Sequence, residues 1–211
     1  MSPAPHQSTV YHRLARIYDG CLSPFFGKRA QKTIRALDIP AGARVLEVGV
    51  GTGASLDAYP THAHVVGIDL ADEMLAHARE KIQRHGWQHV EVKQMDALNL
   101  AFPDDSFDYV MAFHIATVVP DHRPLMREIA RICRPGGKIV VINHLRSPRR
   151  WLAGLVDLLG PLTRQLGWHT KLSYEDLVAA APQLKILRRY KTSPRSLFTI
   201  VVAEKPAATA S

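Results

Sequence analysis

The chain has 211 residues, 46% of them hydrophobic, and its 27 Lys and Arg against 19 Asp and Glu leave a formal net charge of +8. That composition is an ordinary globular one, long enough for one domain with a full core, and the positive balance leaves a polyanionic partner open, either nucleic acid or an anionic membrane surface. Cys21 and Cys133 lie far apart with no C-x-x-C pair, which argues against a disulfide framework or a zinc site, and the longest apolar candidate, Trp151 to Leu162, is too short to span a bilayer and contains Asp157.

The N-terminus, MSPAPHQSTV, has no apolar signal segment, so export is not expected. Val10, Leu14, Ile17 and Cys21 have helical spacing, with Tyr11 and Tyr18 in a second, aromatic series. Ser23–Pro24 opens a second helix that runs to about Leu37. Val45 to Val48 reads as a buried strand, followed by Gly49, Gly51 and Gly53. A helix is expected next, and then a parallel strand, Val65 to Ile68, ending on Asp69. Strand, glycine turn, helix and parallel strand with a terminal carboxylate make a nucleotide-binding unit, in which Asp69 is placed to accept hydrogen bonds from two ribose hydroxyls.

The alternation continues. Asp72 to Arg84 is a helix with Met74, Leu75, Ala78 and Ile82 inward, closed by Gly86. His89 to Met95 is a strand, and Phe107 to Phe113 another, ending at His114. Pro124 to Cys133 is a helix, and Arg134–Pro135–Gly136–Gly137 turns tightly into the strand Lys138 to His144. Repeated strand–helix–strand units give a parallel sheet. Ser173-x-x-Asp176 marks a helix start. Leu184 to Lys191 and Leu197 to Glu204 alternate as two strands of a terminal hairpin, so one strand of the sheet is reversed.

The glycines alone do not name the ligand, because Gly49-x-Gly51-x-x-Ala54 also fits a dinucleotide fingerprint. Gly53 is not required by that fingerprint, and Glu47 in a buried strand needs a partner. The cationic methionine part of S-adenosylmethionine would be one. The Glu47–Gly53 pattern, E-x-G-x-G-x-G, resembles the class I methyltransferases, and the likeness extends over about Arg44 to Ile142. It implies an α/β, Rossmann-like class I methyltransferase fold: a mostly parallel seven-stranded sheet with a reversed C-terminal strand. The resemblance also implies a cofactor site. Glu47, Gly49, Gly51 and Gly53 would face the methionine portion, and Asp69 the ribose. Leu70 and Met74 would flank the adenine, with Met95, Asp96 and Ala97 at its amino group. Tyr18 belongs to the N-terminal segment that would close over the cofactor. Asp69 also reads as a helix cap, and Asp96 as a plain turn residue.

His114, at the carboxyl end of the fourth strand, is the candidate base or substrate-orienting group, or else a histidine making one structural hydrogen bond. Tyr11 and Tyr18 offer aromatic faces to a methylated ammonium, or simply pack on the sheet. Asn143, His144 and Arg146 end the fifth strand and, with Tyr190 and Arg195, could form a phosphate site; the two arginines read equally as solvated charges. No metal site is evident. Residues 146–172 are basic and rich in Leu and Trp. Arg149, Arg150, Trp151, Leu152 and Leu155 suit a membrane interface, or else a helical pair capping the sheet or a dimer contact.

Taken whole, the chain resembles the small bacterial phospholipid N-methyltransferases that act on phosphatidylethanolamine. That resemblance implies stepwise methylation of the lipid amine towards phosphatidylcholine, with S-adenosylhomocysteine as by-product. The implied partners are the phospholipid and an anionic membrane surface, with no nucleic acid. The implied location is cytoplasmic, peripheral to the inner face of the membrane. The expected organisation is one domain over 1–206, with a helical lid at 1–37, the basic amphipathic insertion at 146–172 and a disordered tail at 207–211. Two other readings remain: a C- or O-methyltransferase of a quinone or other lipophilic molecule, and a non-catalytic nucleic-acid-binding protein on the same scaffold.

Overall fold

The computed structural model describes residues 23–145, 172–191, 196 and 198–207. Within them the chain runs α1 (Ser23–Arg35), β1 (Arg44–Val48), β2 (His64–Asp69), α2 (Asp72–His85), β3 (Val90–Gln94), β4 (Phe107–Phe113), α3 (His122–Ile132), β5 (Cys133–His144), α4 (Tyr174–Ala179), β6 (Lys185–Tyr190) and β7 (Phe198–Glu204). The strands form one seven-stranded sheet in the order β3-β2-β1-β4-β5-β7-β6. Pairs from β3 to β5 are parallel, and β7 is antiparallel to both its neighbours. This is the expected mixed sheet with a reversed strand.

The central strands are apolar almost throughout because both of their faces are covered. Val45, Val65, Tyr109, Met111, Val140 and Ile200 pack under α1 and α2, with Ile34, Leu75 and Ala78. Leu46, Val48, Ile68, Val110, Ala112 and Val141 face α3 and α4, with Leu125, Ile129 and Leu177. On α2 only Leu75 and Ala78 are fully buried, and Met74 and Ile82 are partly covered. Gly86 closes α2 in a left-handed conformation, φ 64°. Asp121 caps α3 through the Arg123 N–H, and Ser173 with Asp176 forms a capping box on α4.

Two local expectations change. Between the glycine turn and β2 there is no full helix, only a single 3-10 turn over Leu56–Ala58, ended by the extended Tyr59 ahead of Pro60. The 134–137 turn does not precede β5 but interrupts it. Cys133 pairs with Phe107 and Lys138 with Tyr109, so the turn residues loop out, with Gly136 at φ 78°.

The topology gathers the carboxyl ends of β1, β2, β4, β5 and β6 on one sheet edge, where the reversed β7 begins. That edge therefore carries the glycine turn, Asp69, His114, His144, Tyr190 and Phe198. Ligands of open α/β sheets bind there, at the switch in strand order.

Candidate active site

The turn after β1 is held from several sides. Gly49 and Val50 donate their N–H groups to the Ile68 carbonyl at 2.8 and 2.9 Å. Gln31 Nε2 from α1 donates to the Ala54 carbonyl, and Lys81 Nζ from α2 to the Thr52 carbonyl, both at 2.8 Å. Gly49, Gly51 and Gly53 all have positive φ, 77°, 55° and 73°. They differ in what surrounds them. A Cβ on Gly53 would lie 2.7 Å from Leu56 Cδ1, and one on Gly49 would lie 3.0 Å from Ile115 Cδ1, whereas one on Gly51 would meet nothing within 4 Å. Gly51 thus presents bare backbone to open space, the property of a turn that lets a ligand approach.

Asp69 stands beside it. Its Oδ2 accepts from the Gly51 N–H at 2.9 Å and its Oδ1 from the Ala71 N–H at 3.0 Å. Burial raises its pKa, and these backbone donors pull it partly back. Ala71, not Asp69, is the N-cap of α2. Leu70 follows with 67% of its surface exposed. Gln94 Nε2 donates to the Leu70 carbonyl and the Met95 N–H to that of Asp69, which brings the ends of β2 and β3 together. Asp96 accepts from the Leu98 N–H at 2.8 Å in a local turn, and Ala97 is buried beneath. An apolar side chain held out beside a carboxylate and an open glycine fits a nucleoside with a ribose, so these residues match the needs of S-adenosylmethionine.

Glu47 departs from expectation. It is only 2% exposed, but its partners come from the chain itself. Ser55 Oγ donates to Oε1 and Tyr59 Oη to Oε2, each at 2.6 Å. Burial pushes its pKa up to about 7 despite the two hydroxyls, and burial next to Glu47 raises that of Tyr59 well above normal. The carboxyl ties β1 to the 3-10 turn, so no cofactor ammonium is needed to account for it.

At the other end of the edge, His114 has φ 63° and donates its backbone N–H to the Ile142 carbonyl. A β-carbon residue held in the left-handed region at a sheet edge is the kind of strain that collects at working sites. Its ring meets Phe198 edge-on, with centroids 4.9 Å apart, and the Arg29 guanidinium lies 4.2 Å from the centroid of the same Phe198 ring. Burial, and secondarily the Arg29 charge, lower the His114 pKa to about 3. His144 also meets Phe198 edge-on, at 5.9 Å, and burial lowers its pKa as well.

Asn143 does not reach this edge. It is 1% exposed, and in the orientation that satisfies both ends of its amide it donates to the Ile142 carbonyl and accepts from the Thr117 N–H. Buried there, it braces the segment after β4. Tyr190 is partly buried, with Arg188 over its ring, and β7 separates it from β5. Tyr11, Tyr18, Arg146, Arg149, Arg150, Trp151, Leu152, Leu155 and Arg195 lie outside the described residues. Among the described residues, no group of three or more His, Cys, Asp or Glu side chains is arranged to hold a metal ion, and no helix is long and apolar enough to cross a membrane. Ser55, Tyr59, Arg29 and Phe198 are site-building residues that the sequence reading did not single out.

This fold and glycine turn define a class I methyltransferase dependent on S-adenosylmethionine. A family model described as a methyltransferase domain matches residues 46–141. The chain is 44% identical over 198 residues to a phosphatidylethanolamine N-methyltransferase of Cereibacter sphaeroides, covering 92% of this chain and 95% of that one. The chain belongs to that family of phosphatidylethanolamine N-methyltransferases. A demethylmenaquinone methyltransferase of Anoxybacillus flavithermus is 31% identical over 64% of the chain and 60% of its own length. Among solved structures, the YcgJ protein of Bacillus subtilis superposes with a TM-score of 0.73 at 20% identity, over 86% of this chain and all of that one. A geranyl diphosphate methyltransferase in complex with SAM does so with a TM-score of 0.68 at 13% identity, over 85% of each chain. At those identities the likeness is one of fold.

Proposed function

We propose that the protein methylates the amine of phosphatidylethanolamine, and of its mono- and dimethyl derivatives, at the surface of a membrane. The observation that carries this reading is the 44% identity to a phosphatidylethanolamine N-methyltransferase along nearly the whole of both chains. The demethylmenaquinone enzymes match a smaller part of the chain at lower identity.

When bound, S-adenosylmethionine supplies an electrophilic methyl group on a sulfonium with a good neutral leaving group. The protein's share is therefore alignment and exclusion of water. Gly51 would let the backbone lie against the methionine portion, with Gly49 and Gly53 shaping the turn against Ile115 and Leu56, and Asp69 would hold the ribose hydroxyls. Leu70 and Met74 lie against the adenine, with Met95, Asp96 and Ala97 along its rim. Glu47 acts at one remove, by fixing the turn. Tyr18 and Tyr11 would offer ring faces to the ammonium, and His144, Arg146, Tyr190 and Arg195 would serve the phosphate. Arg149, Arg150, Trp151, Leu152 and Leu155 would serve the contact with the bilayer.

An ammonium has no lone pair, so the acceptor must lose a proton first. His114 with a pKa of about 3 is a weak proton acceptor near pH 7. Its neutral ring can still accept a hydrogen bond from the amine and point the nitrogen's lone pair at the methyl group. Purified protein with labelled cofactor and phosphatidylethanolamine vesicles should put label into the lipid. His114→Ala should lower kcat by roughly 10–100-fold, the scale of lost positioning, with affinity for S-adenosylhomocysteine unchanged. His114→Asn, which keeps an acceptor, should recover part of the rate. The wild-type rate should show no step between pH 5 and 8 that disappears in His114→Asn. Wild-type protein that labels no lipid overturns the proposal, and a step lost in His114→Asn makes His114 the base.

A further inference from the structure

The two edges of the sheet are built differently. Strand β3, VEVKQ, balances its charges, with Lys93 Nζ 2.8 Å from Glu91 Oε1. Strand β6, KILRRY, carries Lys185, Arg188 and Arg189, and Lys191 follows it. Between Asp176 and Glu204 the sequence contains five basic residues and no acid. Elsewhere Arg79, Arg84, Arg131, Arg134 and Lys205 are paired with carboxylates. Among the described residues, Lys185, Arg188, Arg189 and Lys191 form no such pair.

Charge alone can serve to blunt an edge strand against aggregation. A bulge does the same, and β6 has one between Ile186 and Arg188. Strand β3 manages its own edge with no net charge, so the excess on β6 exceeds that need. The bulge also leaves Leu187 39% exposed among the cations. Arg189 lies over Tyr174 and Arg188 over Tyr190, so amphipathic rings back the two guanidinium groups, as suits an apolar–aqueous boundary. The strand leads to the active edge, since Lys191 is near enough to His144 to disfavour its protonation.

From this we infer that edge strand β6, through Lys185, Arg188, Arg189 and the bulged Leu187, is a docking surface for an anionic phospholipid bilayer. Resting there, the bilayer lies against the corner at which Tyr190, Lys191 and His144 meet the site. The choice of a bilayer over another polyanion rests on the acceptor being a phospholipid. Each basic residue near an anionic surface strengthens binding by about fivefold.

The test is co-sedimentation with vesicles of phosphatidylglycerol and phosphatidylethanolamine at low and raised salt. Lys185→Gln/Arg188→Gln/Arg189→Gln should weaken binding roughly a hundredfold and flatten its salt dependence. Arg79→Gln/Arg84→Gln/Lys93→Gln removes the same charge at the far side and should change binding less than about threefold. Affinity for S-adenosylhomocysteine should be unchanged in both. If the neutral edge aggregates, Arg188→Glu/Arg189→Glu keeps it charged and should lose vesicle binding at least as fully. Equal losses in the two triple variants, retained binding in the β6 variants, or a β6-dependent preference for DNA over vesicles overturns the inference. If wild-type protein methylates phosphatidylethanolamine while the β6 variants still bind vesicles, this inference alone fails. If it methylates no lipid amine, the acceptor reading fails, and the binding contrast still reports on β6.

Discussion

Gly51→Ala will cost the protein its cofactor and less of its stability than Gly53→Ala, which will spare the cofactor. Both residues have positive φ, so each alanine carries a left-handed strain of about 1–2 kcal/mol. At Gly51 the added methyl meets nothing within 4 Å, so strain is the whole stability cost. The methyl stands in the space where the ligand must approach, and calorimetry should show affinity for S-adenosylhomocysteine reduced at least tenfold. At Gly53 the methyl lies 2.7 Å from Leu56 Cδ1 and 3.2 Å from Ala78 Cβ, and Leu56 is fully buried. Overpacking of that kind adds about 1–3 kcal/mol. Thermal melting should therefore drop well below that of Gly51→Ala. Wild-type affinity in Gly51→Ala would remove the glycine turn from the cofactor site.

The second large effect is a pH-dependent one at Glu47. Its folded pKa of about 7 lies above the ordinary value of 4.5, so the native state holds the extra proton between those limits. Stability then falls as pH rises through the window, by about 3 kcal/mol in all, and the loss is complete above pH 7. His114 acts oppositely. Its pKa of about 3 means that the unfolded chain gains a proton first below 6.5, so its share of stability is lost as pH falls. The wild-type profile mixes the two, and the difference between wild type and Glu47→Gln isolates one. Glutamine can accept from one hydroxyl and donate to the other. Urea unfolding without ligand should show Glu47→Gln gaining on wild type by about 3 kcal/mol from pH 4.5 to pH 8. A difference that stays constant with pH would mean that Glu47 is not held protonated by burial.

The sheet was legible because its strands are apolar on both faces. Val45 to Val48 and Phe107 to Phe113 are apolar but for Glu47 and Asp108, the pattern of a strand covered on both faces. The glycine turn and Asp69 were legible because alternate glycines mark a backbone of positive φ and the carboxylate ends its strand. What could not be read are contacts made across the fold. Glu47 looked like a carboxylate in want of a ligand, but Ser55 and Tyr59 return to it through a 3-10 turn that sequence periodicity rendered as a helix. Asn143 looked like a ligand group at a strand end, yet Thr117 from the next loop satisfies it. The joining of Arg29, His114 and Phe198 needs α1, β4 and β7 side by side, and no local pattern links those positions. His114 stands at the edge as expected, and its neutral ring follows from burial and the nearby Arg29 charge, neither of which a local pattern shows.

In the proposed function the methyl acceptor is the unsubstituted or partly substituted amine of a phospholipid. Its most direct test is label transfer from S-adenosylmethionine to two sets of anionic vesicles, one containing phosphatidylethanolamine and the other phosphatidylcholine, both with demethylmenaquinone added. The headgroups share phosphate and charge pattern, and only the first has N–H bonds to exchange for methyl groups. Label should appear in the lipid of the phosphatidylethanolamine vesicles alone. Label in the quinone of both sets, with none in phosphatidylethanolamine, would make the protein a quinone methyltransferase instead.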